Sequence, residues 1–172
     1  MILAIDVDYR VNSAIVAGIL FRNWGDESPY KIIHSKVDGV ESYESGQFYK
    51  REMPCIIHLL KDHDLSPNVI VIDGFVMLGQ ESKPGLGMHL YYALNKEIPI
   101  VGVAKTSFKD SKPETEVFRG KSQKPLYVTA VGVELEVAKN NVFSMHGKYR
   151  MPTLLKLADQ ECRKISKVLD DD

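Results

Sequence analysis

The chain has 172 residues, 44% of them apolar, and a formal net charge of −1 from 22 Lys and Arg against 23 Asp and Glu. That size and apolar content suit one compact domain spanning residues 1–172, and the balanced charge excludes an overall basic field, so any nucleic-acid contact has to come from local clusters. No apolar run approaches the roughly 18 residues a membrane span needs, and Cys55 and Cys162, without a close His partner, make no zinc site, so reduced thiols in a soluble cytoplasmic monomer are expected.

Residues 2–8 alternate so that Asp6 and Asp8 share a face with Ala4 while Leu3, Ile5 and Val7 face the other way, the pattern of a strand. Residues 13–21 read as a second strand after a hairpin turn. Residues 30–37 read as a third, nearer the sheet edge. The polar segment 38–49 reads as a loop lying over something. A helix with Cys55, Ile56, Leu59 and Leu60 follows. Proline is tolerated in a first turn, so Pro54 predicts a start near Glu52, with that carboxylate at the positive helix end.

Val69-Ile70-Val71-Ile72, a β-branched run after Ser66-Pro67-Asn68, reads as a strand buried on both faces and ending at Asp73-Gly74. Segment 75–87 reads as a loop, 87–95 as a helix and 98–104 as another buried strand ending at Lys105, a βαβ unit in rhythm. The one basic stretch runs from Lys105 through Lys109, Lys112, Arg119 and Lys121 to Lys124. It is either a solvated loop or hairpin or a phosphate-contacting surface. One or two strands are expected within 126–137, a turn at Asn140-Asn141, a short strand over 142–145 and an amphipathic closing helix over 153–168.

Three antiparallel strands, a helix, then further strands and helices is the element order of a ribonuclease H-like α/β fold, a mixed sheet in which parallel strands follow the antiparallel ones, flanked by helices. In that order the first strand, the start of the first helix and the end of the fourth strand converge, bringing Asp6, Glu52 and Asp73 together. Acids so grouped raise one another's pKa unless a cation compensates. Mg²⁺ is the expected cofactor, with Mn²⁺ able to substitute, because a hard ion prefers carboxylate oxygen. Lys105 is placed to stabilise developing charge or to position a water. Asp8 reads as a strand-end acid, His34, His58, His63 and His89 as structural, and Trp24 as a hairpin-loop aromatic.

At these residues the sequence resembles the endonuclease V family. The resemblance rests on Asp6 in a strand ending Asp-Val-Asp-Tyr, on Ser42-Tyr43-Glu44-Ser45-Gly46, on Arg51-Glu52-Met53-Pro54, on Pro67 through Asp73-Gly74, and on Gly102-Val103-Ala104-Lys105. It implies a nuclease for inosine or deoxyinosine in RNA or DNA, cutting on the 3′ side one nucleotide beyond the modified base. Asp6, Glu52 and Asp73 would hold the metal and Lys105 would assist. Tyr43 would fill the gap left by the extruded base, Gly46, Gly74 and Phe108 would line its pocket, and Lys83 and Gly85 would join them as nucleic-acid- or base-binding residues.

The sequence also departs from the family. Ser42 and Ser45 stand where the family's wedge has prolines, and Glu44 replaces an aliphatic residue. The His-Pro-Arg segment after the metal aspartate is absent, Gly79, Gln80 and Lys83 being offered instead. His146-Gly147 stands for the family's Gly-His, which makes His146 a displaced metal-side candidate. Two other readings stay open: a catalytically weak or inactive nucleic-acid-binding relative, and an ATP-binding module, against which Asp6-Val7-Asp8-Tyr9-Arg10 lacks the glycine and hydroxyl that cradle phosphates.

Overall fold

The computed structural model describes residues 1–40, 42, 44–45 and 47–170. Its strands are β1 (Ile2–Tyr9), β2 (Ser13–Phe21), β3 (Lys31–Asp38), β4 (Val69–Asp73), β5 (Met77–Leu78), β6 (Lys83–Pro84), β7 (Ile100–Ala104), β8 (Glu116–Val117) and β9 (Leu126–Val131). Its α-helices are α1 (Phe48–Asp62), α2 (Leu86–Ala93), α3 (Leu135–Ser144) and α4 (Thr153–Asp170). Seven strands make one sheet in the order β3-β2-β1-β4-β7-β9-β8, and β5 and β6 form a separate short hairpin.

The first three strands are antiparallel, and β4 and β7 run parallel to β1. The far edge turns back, β9 being antiparallel to β7 and to β8. This is the mixed ribonuclease H-like sheet. Period-two alternation divides the core between its faces. Leu3, Ile5, Ile70 and Ile72 pack under α1 and α2 with Ile56, Leu59 and Leu90. Ala4, Val71, Val101 and Val103 pack under α3 and α4 with Ala138, Val142, Leu154 and Ala158. Cys55 and Cys162 are both buried free thiols, and no helix among the described residues is long and apolar enough to cross a membrane.

Three sequence expectations are corrected. Residues 135–144 form a helix, not a turn and a strand: Ala138 and Val142, four apart, are its fully buried pair, and Asn140 is on a different side of the turn. Helix α1 begins at Phe48, a full turn ahead of Glu52. Pro54 lies inside it, where it gives no N–H to the carbonyl of Lys50, an exposed residue. Arg119 is no surface cation of the basic stretch, because it is 4% exposed.

Candidate active site

β1, β4 and β7 are parallel, so their carboxyl ends share one edge of the sheet, where open α/β sheets place their ligands. Ile5 pairs with Ile72 and Asp73 with Val103, which brings Asp6, Asp73 and the residue after β7, Lys105, to nearly one level. Gly74, with φ +140°, takes the chain out of β4 at once, a conformation L side chains rarely adopt. Asp6, Asp73 and Lys105 line a cleft of about 310 Å³, and the opposite wall is α4 with Lys156 and Asp159.

Asp159 is the residue that sequence reasoning missed. It follows Ala158 on α4, whose Leu154, Ala158 and Cys162 are buried against the sheet, and that packing carries the carboxylate over the strand ends. The signal available was its neighbour on the helix, a buried alanine at the centre of the apolar stripe. Asp159 Oδ1 also accepts from Arg163 Nε at 2.7 Å.

The electrostatics follow from crowding acids at the edge of a core. Burial, then the charge of Asp73, raises the Asp6 carboxyl from 3.8 to about 7; Asp159 adds to the rise, while a 2.8 Å bond from the Val7 N–H and the charge of Lys105 oppose it. Asp73 is raised by burial and by Asp159 and lowered by Lys105. Its side chain rims the cleft and stays open to solvent on one side.

Glu52 stands behind the cleft rather than on its wall. It is 4% exposed, in the second turn of α1, so it lacks the help of the positive helix end that was expected. Burial, then the charges of Asp6 and Asp73, hold its carboxyl well above the ordinary range. The Tyr9 hydroxyl donates to its Oε2 at 3.2 Å.

His146 is not brought to these acids. Its Nδ1 is 2.9 Å from Thr153 Oγ1 at the start of α4, and its Nε2 is 3.9 Å from Glu27. It lines a separate hollow.

On the other side of the β4 terminus lies a cavity of about 650 Å³ whose lining includes Gly74, Lys83, Gly85 and Phe108. The structure therefore gathers four of the residues expected to meet a base. Phe108 packs edge-on to Phe75, ring centres 6.4 Å apart, and Tyr49, also on the wall, stacks on His89 at 3.7 Å. Lys83 Nζ is 3.0 Å from Glu81. Tyr43 and Gly46 lie outside the described residues.

The donor set suits a hard divalent cation: several carboxylates, three of them (Asp6, Asp73 and, behind the cleft, Glu52) with raised pKa, offset in the cleft by Lys105 and Lys156. Among the described residues, no three His, Cys, Asp or Glu side chains stand close enough to form a ready coordination shell. Mg²⁺ does not require one, since it commonly takes one or two carboxylates and completes its shell with water and substrate phosphate.

A ribonuclease H-like sheet with carboxylates collected at the parallel strand ends defines the class. Within it, the family profile described as Endonuclease V matches residues 1–123, and the chain belongs to the endonuclease V family. An Endonuclease V of Thermus thermophilus is 25% identical over 193 residues, covering 98% of this chain and 84% of its own. That of Nostoc punctiforme is 27% identical over 138 residues, covering 69% of this chain, which spans 61% of the Nostoc protein's length. Among solved structures, Ciona intestinalis Endonuclease V in complex with a 24mer DNA containing an inosine followed by a ribo-adenosine superposes with a TM-score of 0.78 at 22% identity, over 98% of this chain and 86% of that one.

Proposed function

We propose that this protein is a divalent-cation-dependent endonuclease that cuts RNA or DNA on the 3′ side of inosine or deoxyinosine, one nucleotide beyond the modified base. One observation carries the reading: Asp73 faces the acid cleft while its neighbour Gly74 lines the separate cavity. A strand crossing the end of β4 would present a phosphate to one side and an extruded base to the other.

Asp6, Asp73 and Asp159 would hold Mg²⁺ or Mn²⁺ from the cleft, with Glu52 behind them. When bound, the ion would neutralise the scissile phosphate and lower the pKa of a water. Lys105 would place positive charge beside the same phosphate. Phe108 would offer a ring to the extruded base, and Gly74 and Gly85 would let backbone approach its edge.

A second reading, a nucleic-acid-binding relative without catalysis, rests on the departures from the family: the His-Pro-Arg segment is missing after Asp73, and His146 is turned to Thr153 and Glu27. The test is cleavage of labelled single-stranded RNA and DNA, each with and without one inosine, in Mg²⁺ and in Mn²⁺, beside Asp73→Asn. Cutting next to inosine that is lost in Asp73→Asn supports the nuclease. Binding with no cutting supports the second reading.

A further inference from the structure

The buried Arg119 has no part in the chemistry above, yet it organises the segment beside the cleft. All five of its N–H positions are spent on backbone carbonyls: Nε on Phe143, Nη1 on Tyr149 and Arg150 at 2.9 and 3.0 Å, Nη2 on Met145 and Gly147. Next to it, Gly120 lies so close to the segment that a Cβ there would meet the Lys148 carbonyl oxygen at 2.4 Å. From the far side, Arg150 Nη1 donates to the carbonyls of Lys105 and Pro125 at 3.2 and 3.3 Å. The backbone around Tyr149 is thus tied both to a buried guanidinium and to the strand end that carries Lys105.

What this clasp presents is an aromatic ring in water. Tyr149 is 65% exposed, and among the described residues no other aromatic ring packs on it. Lys148 Nζ stands 5.2 Å from its ring centre. Tyr149 and Lys156 line both the acid cleft and the adjoining hollow of about 520 Å³, whose lining adds Lys148 and His146 and contains no acid. An exposed aromatic ring on an anchored backbone, bordered by cations and next to the proposed cutting site, has the make-up of a single-strand stacking platform. Fixing its backbone in advance lowers the ordering penalty of binding.

The direction of the strand follows from the order of the surfaces. The base cavity lies on one side of the acids and Tyr149 on the other, so a chain running from an extruded base across the cleft meets Tyr149 after the cut. We propose that Tyr149 stacks on a nucleotide 3′ to the scissile phosphate, with Lys148 and Lys156 neutralising the phosphates of that leaving segment. This rests on the nuclease reading of the cleft for its polarity, and the partner is single-stranded nucleic acid.

The experiment measures binding of full-length protein by fluorescence anisotropy, in Ca²⁺, to inosine oligonucleotides that end a single nucleotide beyond the cut or extend about five further. Tyr149→Ala should weaken binding of the extended strand about five- to tenfold and leave the short one within about twofold. Tyr149→Phe should behave as wild type, and the fluorescence of Tyr149→Trp should be quenched by the extended strand alone. Equal affinities of Tyr149→Ala and wild type for the extended strand, or an unquenched Tyr149→Trp, overturn the platform. Cleavage of the same strands in Mg²⁺ keeps the two proposals apart. Quenching without inosine-dependent cutting leaves the platform standing and removes the nuclease reading, and inosine-dependent cutting that Tyr149→Ala does not alter, with unchanged binding, does the reverse.

Discussion

The Tyr9 hydroxyl donates to Glu52 Oε2 across 3.2 Å, and the Arg51 guanidinium lies 3.7 Å over the Tyr9 ring. The bond joins the end of β1 to the second turn of α1, and so ties the most deeply buried acid of the site to the strand that carries Asp6. It also lowers the Glu52 pKa against the upward push of burial. Burial and Glu52 raise the Tyr9 phenol well above its ordinary value, so it remains a donor at any physiological pH. Tyr9→Phe keeps the ring under Arg51 and removes only this bond. It should weaken Mn²⁺ binding, read by titration calorimetry, about tenfold with an unchanged circular dichroism spectrum. Wild-type affinity in this variant would show that Glu52 needs no such support.

Asp159 and His146 make opposite predictions. Asp159 shares the cleft with Asp6 and Asp73, whereas His146 is turned to Thr153 and Glu27. Asp159→Asn should lower kcat/KM on an inosine strand by about a hundredfold or more, the scale for losing a group that acts in the transition state. It should also raise the melting temperature of the metal-free protein, because it removes one of the repelling charges that push up Asp6 and Asp73. His146→Ala should change kcat/KM less than about threefold. Comparable losses in the two variants would return His146 to the metal side.

The parts of the site legible in the sequence were those on regular strands. β-branched runs 69–72 and 98–104, each ending in a polar residue, announce buried strands and where they stop, which suffices to align Asp73 and Lys105. Asp159 was not legible in this way. On a helical pattern it reads as one more polar residue of the solvated face, and only the packing of Leu154, Ala158 and Cys162 on the sheet aims it at the strand ends. Arg119 was hidden for a related reason. Its partners are carbonyls 24 to 31 residues away, and a cation satisfied by distant backbone looks locally like its lysine neighbours. The α3 segment reads as a turn and a strand because Asn140-Asn141 resembles a turn, while the burial of Ala138 and Val142 that decides for a helix depends on the sheet beneath.

The raised carboxyls also set a pH dependence. Asp6 binds its proton more tightly in the folded state, with a pKa of about 7 against an ordinary 3.8. Its favourable contribution is therefore complete below the lower value and lost as pH rises through the upper one. Glu52 and Asp73 are shifted in the same direction. Asp6→Asn should thus melt close to wild type near pH 4 and progressively above it towards pH 8, when metal-free. Added Mn²⁺ should close the gap by stabilising wild type at the higher pH alone. A melting difference independent of pH would mean that burial and the neighbouring acids do not raise the Asp6 carboxyl in the folded protein.

Phe108 tests the base cavity without touching the acids. It is 44% exposed and held edge-on to Phe75, on the wall shared with Gly74 and Gly85. Half exposed as it is, its truncation removes little core packing and should leave stability within about 0.5 kcal/mol, the range of surface substitutions. Stacking of one base on an aromatic ring contributes about 1–3 kcal/mol. Phe108→Ala should therefore lower kcat/KM on an inosine strand by about tenfold. The loss should fall on the inosine strand more than on its adenosine counterpart, because only a base drawn into the cavity meets the ring, and the ratio of the two rates is the quantity to follow. An equal drop on both strands would make Phe108 a general strand contact, and no drop on either would move the base out of this cavity.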